Sequence, residues 1–173
     1  MSDAAPATHD PSSLPGTYRN RVFVGGSFQP VSREVLGVIE QAIRDTGFEP
    51  VLADRFALLQ PDHDIHDVTL GLLHGCRLAV FDLTGLSGAL MELERCRDYG
   101  LFRVLLLYHH PFGRTWPDDP GSWSTSAMVK SLVREDAGRF HVRPFVRPAG
   151  AATETRRFLR AVRSSSYGKL HSL

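Results

Sequence analysis

Two glutamates, Glu92 and Glu94, stand shortly after the turn TGLSG. A carboxylate at the rim of a cleft can act as a nucleophile or as a general acid or base. At about 100° per residue, Glu92 lies at the flank of the apolar stripe of the predicted helix, whereas Glu94 points outward and can pair with Arg97. Helical phase therefore selects Glu92 and predicts that Glu94 is a solvated charge.

Small and polar residues follow three predicted strands, at the places where open parallel α/β sheets bind ligands. These candidates for substrate contact are Gly25, Gly26, Ser27 and Phe28, then Asp82 and Thr84, then His109. Two glycines let the backbone approach a ligand on which an aromatic ring can stack, although a Gly-Gly turn beside a core phenylalanine explains the same residues. Neither a dinucleotide fingerprint nor a P-loop is present, which argues against a dehydrogenase or a nucleotide triphosphatase.

The turn before the helix that carries Glu92 predicts an anion or hydroxyl site at Ser87 and Gly88. The first amides of a helix are unsatisfied and its dipole favours negative charge. Ser87 is equally explained as an N-cap, and both roles are compatible because they use different amides.

The stretch PDHDIHD places His63 and His66 among three aspartates, a conceivable metal cluster. Acidic residues and a cap at a helix N-terminus explain the same pattern. We therefore expect no metal ion here.

Alternating segments predict the elements that position these residues. Strands are predicted at RVFVGG, FEPVLA, RLAVFDL, FRVLLLYHH and FHVRPFV. Helices are predicted after a cap at Ser32, from Asp62 as cap to Cys76, from Ser87 or Gly88 to Gly100, over 125–135 and over 153–162. The alternation predicts an α/β fold with three layers, a mainly parallel five-stranded sheet and helices on both faces, of the Rossmann or flavodoxin-like kind.

The 173 residues, 42% of them hydrophobic and 23% charged, predict a single domain over residues 20–165. Residues 1–19 are expected to form a flexible tail and residues 166–173 a frayed end. The loop 111–126 is a candidate lid through Arg114, Trp116 and Trp123, although the tryptophans can equally pin the loop or bury at a dimer contact.

The net charge and the cysteines limit which classes of partner and which cellular compartment we expect. The formal net charge is +1, so neither nucleic acid nor an anionic membrane is expected as a partner. Cys76 and Cys96 form no CxxC motif, which favours two buried thiols in a reduced cytoplasm. No signal peptide and no apolar run of about 18 residues is present, so neither secretion nor membrane spanning is expected.

The segments VFVGGSFQ, RLAVFDLTG and SGALMEL, in this order and spacing, resemble the nucleoside 2-deoxyribosyltransferase-like superfamily over about residues 21 to 110. That superfamily includes nucleoside deoxyribosyltransferases and nucleoside 5′-monophosphate N-glycosidases, and it is distantly related to the TIR domains that cleave NAD. The resemblance implies a nucleoside or nucleotide substrate, no cofactor and a homo-oligomer such as a dimer.

The resemblance also implies roles for individual residues. Glu92 would attack the anomeric carbon and displace the base, and Asp82 would position the sugar or base. Ser87 and Gly88 would lie at the 5′-phosphate or 5′-hydroxyl, while Gly26 with Phe28 would shape the base pocket. The proton that the leaving base needs has three candidate sources: Asp82, His109 and water.

The chain departs from the family at two places, and we keep two other functions as alternatives. One departure is the turn Leu86-Ser87-Gly88-Ala89, where the family often has a polar turn such as Asn-Pro-Asn. Glu94 stands where similar enzymes keep a glycine. The first alternative is a nucleotide-binding sensor or scaffold module without turnover, and the second is a TIR-like NAD hydrolase.

Overall fold

The computed structural model describes residues 14, 16–27, 30–53, 64–84, 89–110 and 127–168. A short 3-10 turn, Tyr18–Asn20, precedes the first strand. The strands and helices then alternate as β1 Arg21–Gly25, α1 Pro30–Asp45, β2 Glu49–Leu52, α2 Ile65–His74, β3 Leu78–Asp82, α3 Ala89–Asp98, β4 Arg103–His109, α4 Ala127–Glu135, β5 Phe140–Phe145 and α5 Pro148–Gly168.

The five strands form one sheet in the order β2-β1-β3-β4-β5, and every neighbouring pair is parallel. The chain goes from β1 outward to β2 and then returns to the other side of β1 to form β3. Strand order therefore reverses between β1 and β3, the place where ligands bind in open α/β sheets. The predicted α/β class with a parallel five-stranded sheet is confirmed.

Helices cover both faces of the sheet and divide the core in two. On one face, α1 and α5 bury Ile39 and Leu159 against Val24. On the other, α2, α3 and α4 contribute to a core that includes Phe23 and Leu72. Because both faces are covered, β1 and β3 read as nearly continuous apolar runs. None of the described helices is long and apolar enough to cross a membrane.

Several helix boundaries differ from the predicted ones. Helix α1 already begins at Pro30, so Ser32 lies inside its first turn and is not the N-cap. Proline suits the first helical position, because its φ is preset and the missing N–H would have no helical partner there. The cap of α2 is Asp64 and not Asp62: the Asp64 side chain accepts a hydrogen bond from the His66 backbone N–H at 2.9 Å.

Helix α5 exceeds the predicted segment at both ends. It begins at Pro148 and continues to Gly168, into the residues expected to fray. The serines near its end are held by the helix itself, since Ser164 and Ser165 donate to the carbonyls of Arg160 and Val162 at 3.0 and 2.9 Å.

The end of the predicted tail is attached to the domain. Leu14 is buried and belongs to the core shared by α2, α3 and α4. The buried Arg21 guanidinium donates to the carbonyls of Leu14 and Gly16, both at 2.8 Å, and to that of Gly75 at 3.3 Å. A buried cation requires such acceptors, so Arg21 ties residues 14 and 16 to the end of α2.

Candidate functional site

The carboxyl ends of β1 and β3 meet closely at the point where strand order reverses. Gly26 has φ +156°, and a Cβ there would lie 3.2 Å from the Asp82 Cβ and 3.3 Å from its carbonyl oxygen. A Cβ on Gly25 would lie 2.5 Å from two carbons of the Phe81 ring. The glycine pair therefore has a packing cause, because it lets β1 and β3 approach without side chains between them.

Asp82 ends β3 and is fully buried. Its Oδ1 accepts hydrogen bonds from the Thr84 N–H at 3.0 Å and from the Thr84 hydroxyl at 2.5 Å. Its Oδ2 is buried and has no hydrogen-bond partner in the described part of the chain. Burial raises the pKa of Asp82 above its ordinary value, and the bonds from Thr84 and the charge of His109 oppose that rise.

His109 lies beside this carboxylate at the end of β4. Its ring is exposed, packs edge-on against Phe145 at 5.7 Å, and has Nε2 3.2 Å from the Val146 carbonyl oxygen. The charge of His109 acts on Asp82. Ser27, which follows the glycine pair, is buried. The sheet edge therefore combines a buried carboxylate with a solvent-accessible imidazole.

Glu92 lies in the first turn of α3 and is partly exposed. Its Oε2 is buried and has no hydrogen-bond partner among the described residues. Burial raises the pKa of Glu92, while its own backbone amide and the charge of His66 lower it. Leu93 and Cys96 are buried, as helical phase predicted.

Glu94 is exposed, which confirms the predicted solvated position. The suggested pairing with Arg97 is absent: Arg97 donates instead to Glu135 of α4, at 3.0 Å. The neighbouring helix offers that carboxylate, so tertiary packing replaces the local pair.

The predicted site residues fall into two groups. The structure brings Asp82 together with Gly26, Thr84 and His109. Glu92 belongs to the second group: the charge of His66 acts on it, and its own charge raises the pKa of the buried Cys96 thiol. His66 was considered in sequence only as a metal ligand. Its position in the first turn of the preceding helix is the signal that could have identified it. Phe28, Ser87, Gly88 and the candidate lid 111–126 lie outside the described residues, so their roles stay predictions.

Across the residues that the structure describes, no group of three histidine, cysteine or acidic side chains could hold a metal ion. Asp64, from the suspected cluster, serves as a helix cap. Cys76 and Cys96 are free and buried. Burial raises the pKa of Cys76 to about 12 and raises the pKa of Cys96 as well, so both thiols stay protonated at neutral pH.

No family model and no curated protein matches the chain. Among solved structures, a pilus assembly-related protein from Burkholderia pseudomallei is 14% identical over 85% of this chain and 94% of its own, with a TM-score of 0.42. The Trp repressor binding protein from Bacillus subtilis is 13% identical over 79% of this chain and 95% of its own, with a TM-score of 0.39. At these identities and TM-scores, neither likeness carries an argument about function.

Proposed function

We propose that the chain binds a nucleoside or nucleoside 5′-monophosphate beyond the β1 and β3 strand ends and cleaves or transfers at its N-glycosidic bond. One observation supports the proposal most: Asp82 Oδ2 and Glu92 Oε2 are buried carboxylate oxygens without a hydrogen-bond partner in the described part of the chain. A buried acceptor without a hydrogen bond costs the folded state free energy. The hydroxyl groups of a sugar are donors that would supply the missing hydrogen bonds.

In the proposed reaction, the ionised Glu92 attacks the anomeric carbon as the bond from that carbon to the base nitrogen breaks. The bonding electron pair leaves with the base, which must take up a proton. Water or an acceptor base then releases the sugar from Glu92. Gly25, Gly26, Ser27 and Thr84 are the proposed substrate contacts along the edge.

Asp82 is well suited to supply the proton for the leaving base. Burial raises its pKa, so the protonated form persists to higher pH than in an exposed aspartate. His109, whose charge already acts on Asp82, is the second candidate donor.

The test is an assay of free base with a panel of nucleosides, nucleoside monophosphates and NAD. Wild-type protein and Glu94→Gln are expected to release base at similar rates, because Glu94 is exposed. Glu92→Gln removes the nucleophile and is expected to lower kcat by roughly 100-fold or more. Undiminished release by Glu92→Gln would remove Glu92 from the mechanism.

A nucleotide-binding module without turnover is the second candidate function. It is favoured by the burial of Glu92, because burial disfavours the ionised form that a nucleophile needs. Calorimetric binding of one panel member without base release would support this function, and nicotinamide release from NAD alone would support a TIR-like hydrolase.

We further propose that the chain acts as a cytoplasmic homodimer. Sedimentation of the purified chain tests its oligomeric state.

A further inference from the structure

The Asp82 carboxyl has no direct access to solvent, although the proposed reaction uses its proton at the ligand edge. The residue is 0% exposed. Thr84, two residues farther along the chain, is exposed, and its hydroxyl oxygen lies 2.5 Å from Asp82 Oδ1. Among the described residues, no other side chain forms a hydrogen bond with the Asp82 carboxyl. The Thr84 hydroxyl therefore connects this buried carboxyl with the surface.

The sheet fixes the chain between these two residues. Leu83 is buried, and its N–H donates to the Leu107 carbonyl of β4 at 2.8 Å. The Thr84 N–H donates to Asp82 Oδ1 at 3.0 Å. An aspartate that accepts from the backbone two residues later forms an Asx turn, which fixes the carboxyl relative to the residue that follows. The backbone thus holds the Thr84 hydroxyl against Oδ1.

The contact can hold a proton between the two oxygens. A hydroxyl group both donates and accepts. The same 2.5 Å distance therefore fits a Thr84 hydroxyl that donates to ionised Asp82 and a protonated Oδ1 that donates to Thr84 Oγ. A proton on Asp82 Oδ2 would have no acceptor among the described residues, and a buried donor without a hydrogen bond costs free energy. Oδ1 is therefore the favoured atom for the proton.

We propose that the Thr84 hydroxyl relays the proton of Asp82 to the leaving base, a role that rests on the proposed function. The Asp82 Oδ1–H bond breaks as its proton moves to Thr84 Oγ, and the original Thr84 hydroxyl proton moves to the leaving nitrogen. The electron pair of the broken glycosidic bond forms the new N–H bond. Asp82 is left ionised and accepts from Thr84. When water releases the sugar from Glu92, the proton that the water loses returns to Asp82 by the same route.

The hydrogen bond is tested on the full chain, without substrate, by following the Asp82 carboxyl carbon by NMR as a function of pH. Thr84→Val keeps the shape of the side chain and removes the hydroxyl. The ionised Asp82 then loses one donor, so its titration midpoint is expected to move to higher pH. Thr84→Ser keeps the hydroxyl and should return the midpoint toward the wild-type value. The backbone N–H at this position and the charge of His109, which also acts on Asp82, are present in every variant.

Thr153→Val is the matched control, because Thr153 is also exposed and its hydroxyl donates within α5, to the Ala149 carbonyl at 3.0 Å. Circular dichroism verifies that each variant is folded, and Thr84→Ala supplies a second deletion of the hydroxyl if Thr84→Val is not. An Asp82 midpoint that stays at the wild-type value when the hydroxyl is deleted would overturn the contact and the relay with it.

The relay itself is tested with whichever substrate releases base, by comparing analogues whose bases differ in how readily they leave without a proton. Thr84→Val is expected to lower kcat about 100-fold for a base that needs the proton, a loss typical of general acid catalysis. For a base that is stable as an anion, the loss should be much smaller. Thr84→Ser should recover most of the activity.

Asp82→Asn removes the proton that is relayed and should show the same dependence on the leaving base. Adding Thr84→Val to Asp82→Asn should cause little further loss of kcat, because the two groups act in series. Losses that multiply in the double variant would mean that the two groups act separately and would overturn the relay.

Equal losses of kcat in Thr84→Val for both kinds of base would also overturn the relay. A dependence on the leaving base that arises in His109→Gln and not in Thr84→Val would do the same, because the exposed His109 would then be the donor. Absence of base release from every substrate would count against the proposed function, and the relay would fall with it. The NMR midpoints would still decide the hydrogen bond between Thr84 and Asp82.

Discussion

At the scale of single residues, the Glu92 carboxylate is expected to cost the folded state free energy when it is ionised. Burial raises its pKa above the ordinary value of 4.5, so the folded state binds this proton more tightly than the unfolded state does. The resulting stabilisation is fully present at pH below 4.5 and is lost as pH rises through the pKa of the folded state. We predict that Glu92→Gln gains stability relative to wild type over that rise, as measured by urea unfolding at several pH values. Glu94→Gln, the same change at an exposed position of the same helix, is the control substitution. If the free energy of unfolding of Glu92→Gln minus that of wild type fails to increase as pH rises through this range, the burial cost is contradicted.

Gly25 tests how closely β1 approaches β3. A Cβ at this position would lie 2.5 Å from the Phe81 ring, which is fully buried and cannot move aside cheaply. Gly25→Ala is therefore expected to lower the free energy of unfolding by about 1–3 kcal/mol. Gly37→Ala in α1 is the matched control, since a Cβ there meets nothing within 4 Å, and alanine should stabilise that helix by roughly 0.5–1 kcal/mol. The free energies of unfolding are measured in denaturant. Equal values for Gly25→Ala and wild type would show that β1 and β3 are less closely packed at this position.

At the scale of elements, the N-terminus of α2 depends on its cap. Asp64 accepts the His66 N–H, so Asp64→Ala is expected to cost about 1 kcal/mol. Asp67→Ala, in the same first turn but exposed, loses only the interaction with the helix dipole and should cost roughly 0.3–1 kcal/mol. Thermal unfolding of both variants and of Asp64→Asn, which retains a capping oxygen, checks the assignment. Equal losses in Asp64→Ala and Asp64→Asn would speak against a cap.

At the scale of the whole molecule, the segment before β1 is expected to contribute to stability. Removing residues 1–16 deletes two carbonyl acceptors of the buried Arg21 guanidinium and the buried Leu14 side chain. Each hydrogen bond to a charged group contributes about 1.5–3 kcal/mol. We therefore predict that this truncation lowers the free energy of unfolding by roughly 3 kcal/mol or more. Removing residues 1–10 keeps both acceptors and is the control. In chemical denaturation, the chain that lacks residues 1–16 should unfold at a clearly lower midpoint than the chain that lacks residues 1–10. Equal midpoints would refute the role of this segment.

The sequence by itself determined the class of fold and the relative status of the two glutamates. The spacing of apolar residues along the chain predicts the alternation of strands and helices. The helical period of 3.6 residues also places Glu94 on the solvent side of its helix, where the structure has it. Helix ends were less predictable, as Pro30, Asp64 and Pro148 show, because several neighbouring residues can begin a helix and local pattern does not choose among them.

Only the tertiary structure decided which strand ends are neighbours and what surrounds each candidate side chain. The order β2-β1-β3-β4-β5 brings Gly26 against Asp82, and burial in the folded chain raises the pKa of Glu92. Likewise, Arg21 reaches the carbonyl of Gly75 across 54 positions of sequence. These contacts depend on how distant segments pack. Periodicity along a single segment carries no information about that packing, so the burial and the unpartnered oxygens of the two carboxylates appear only in the folded chain.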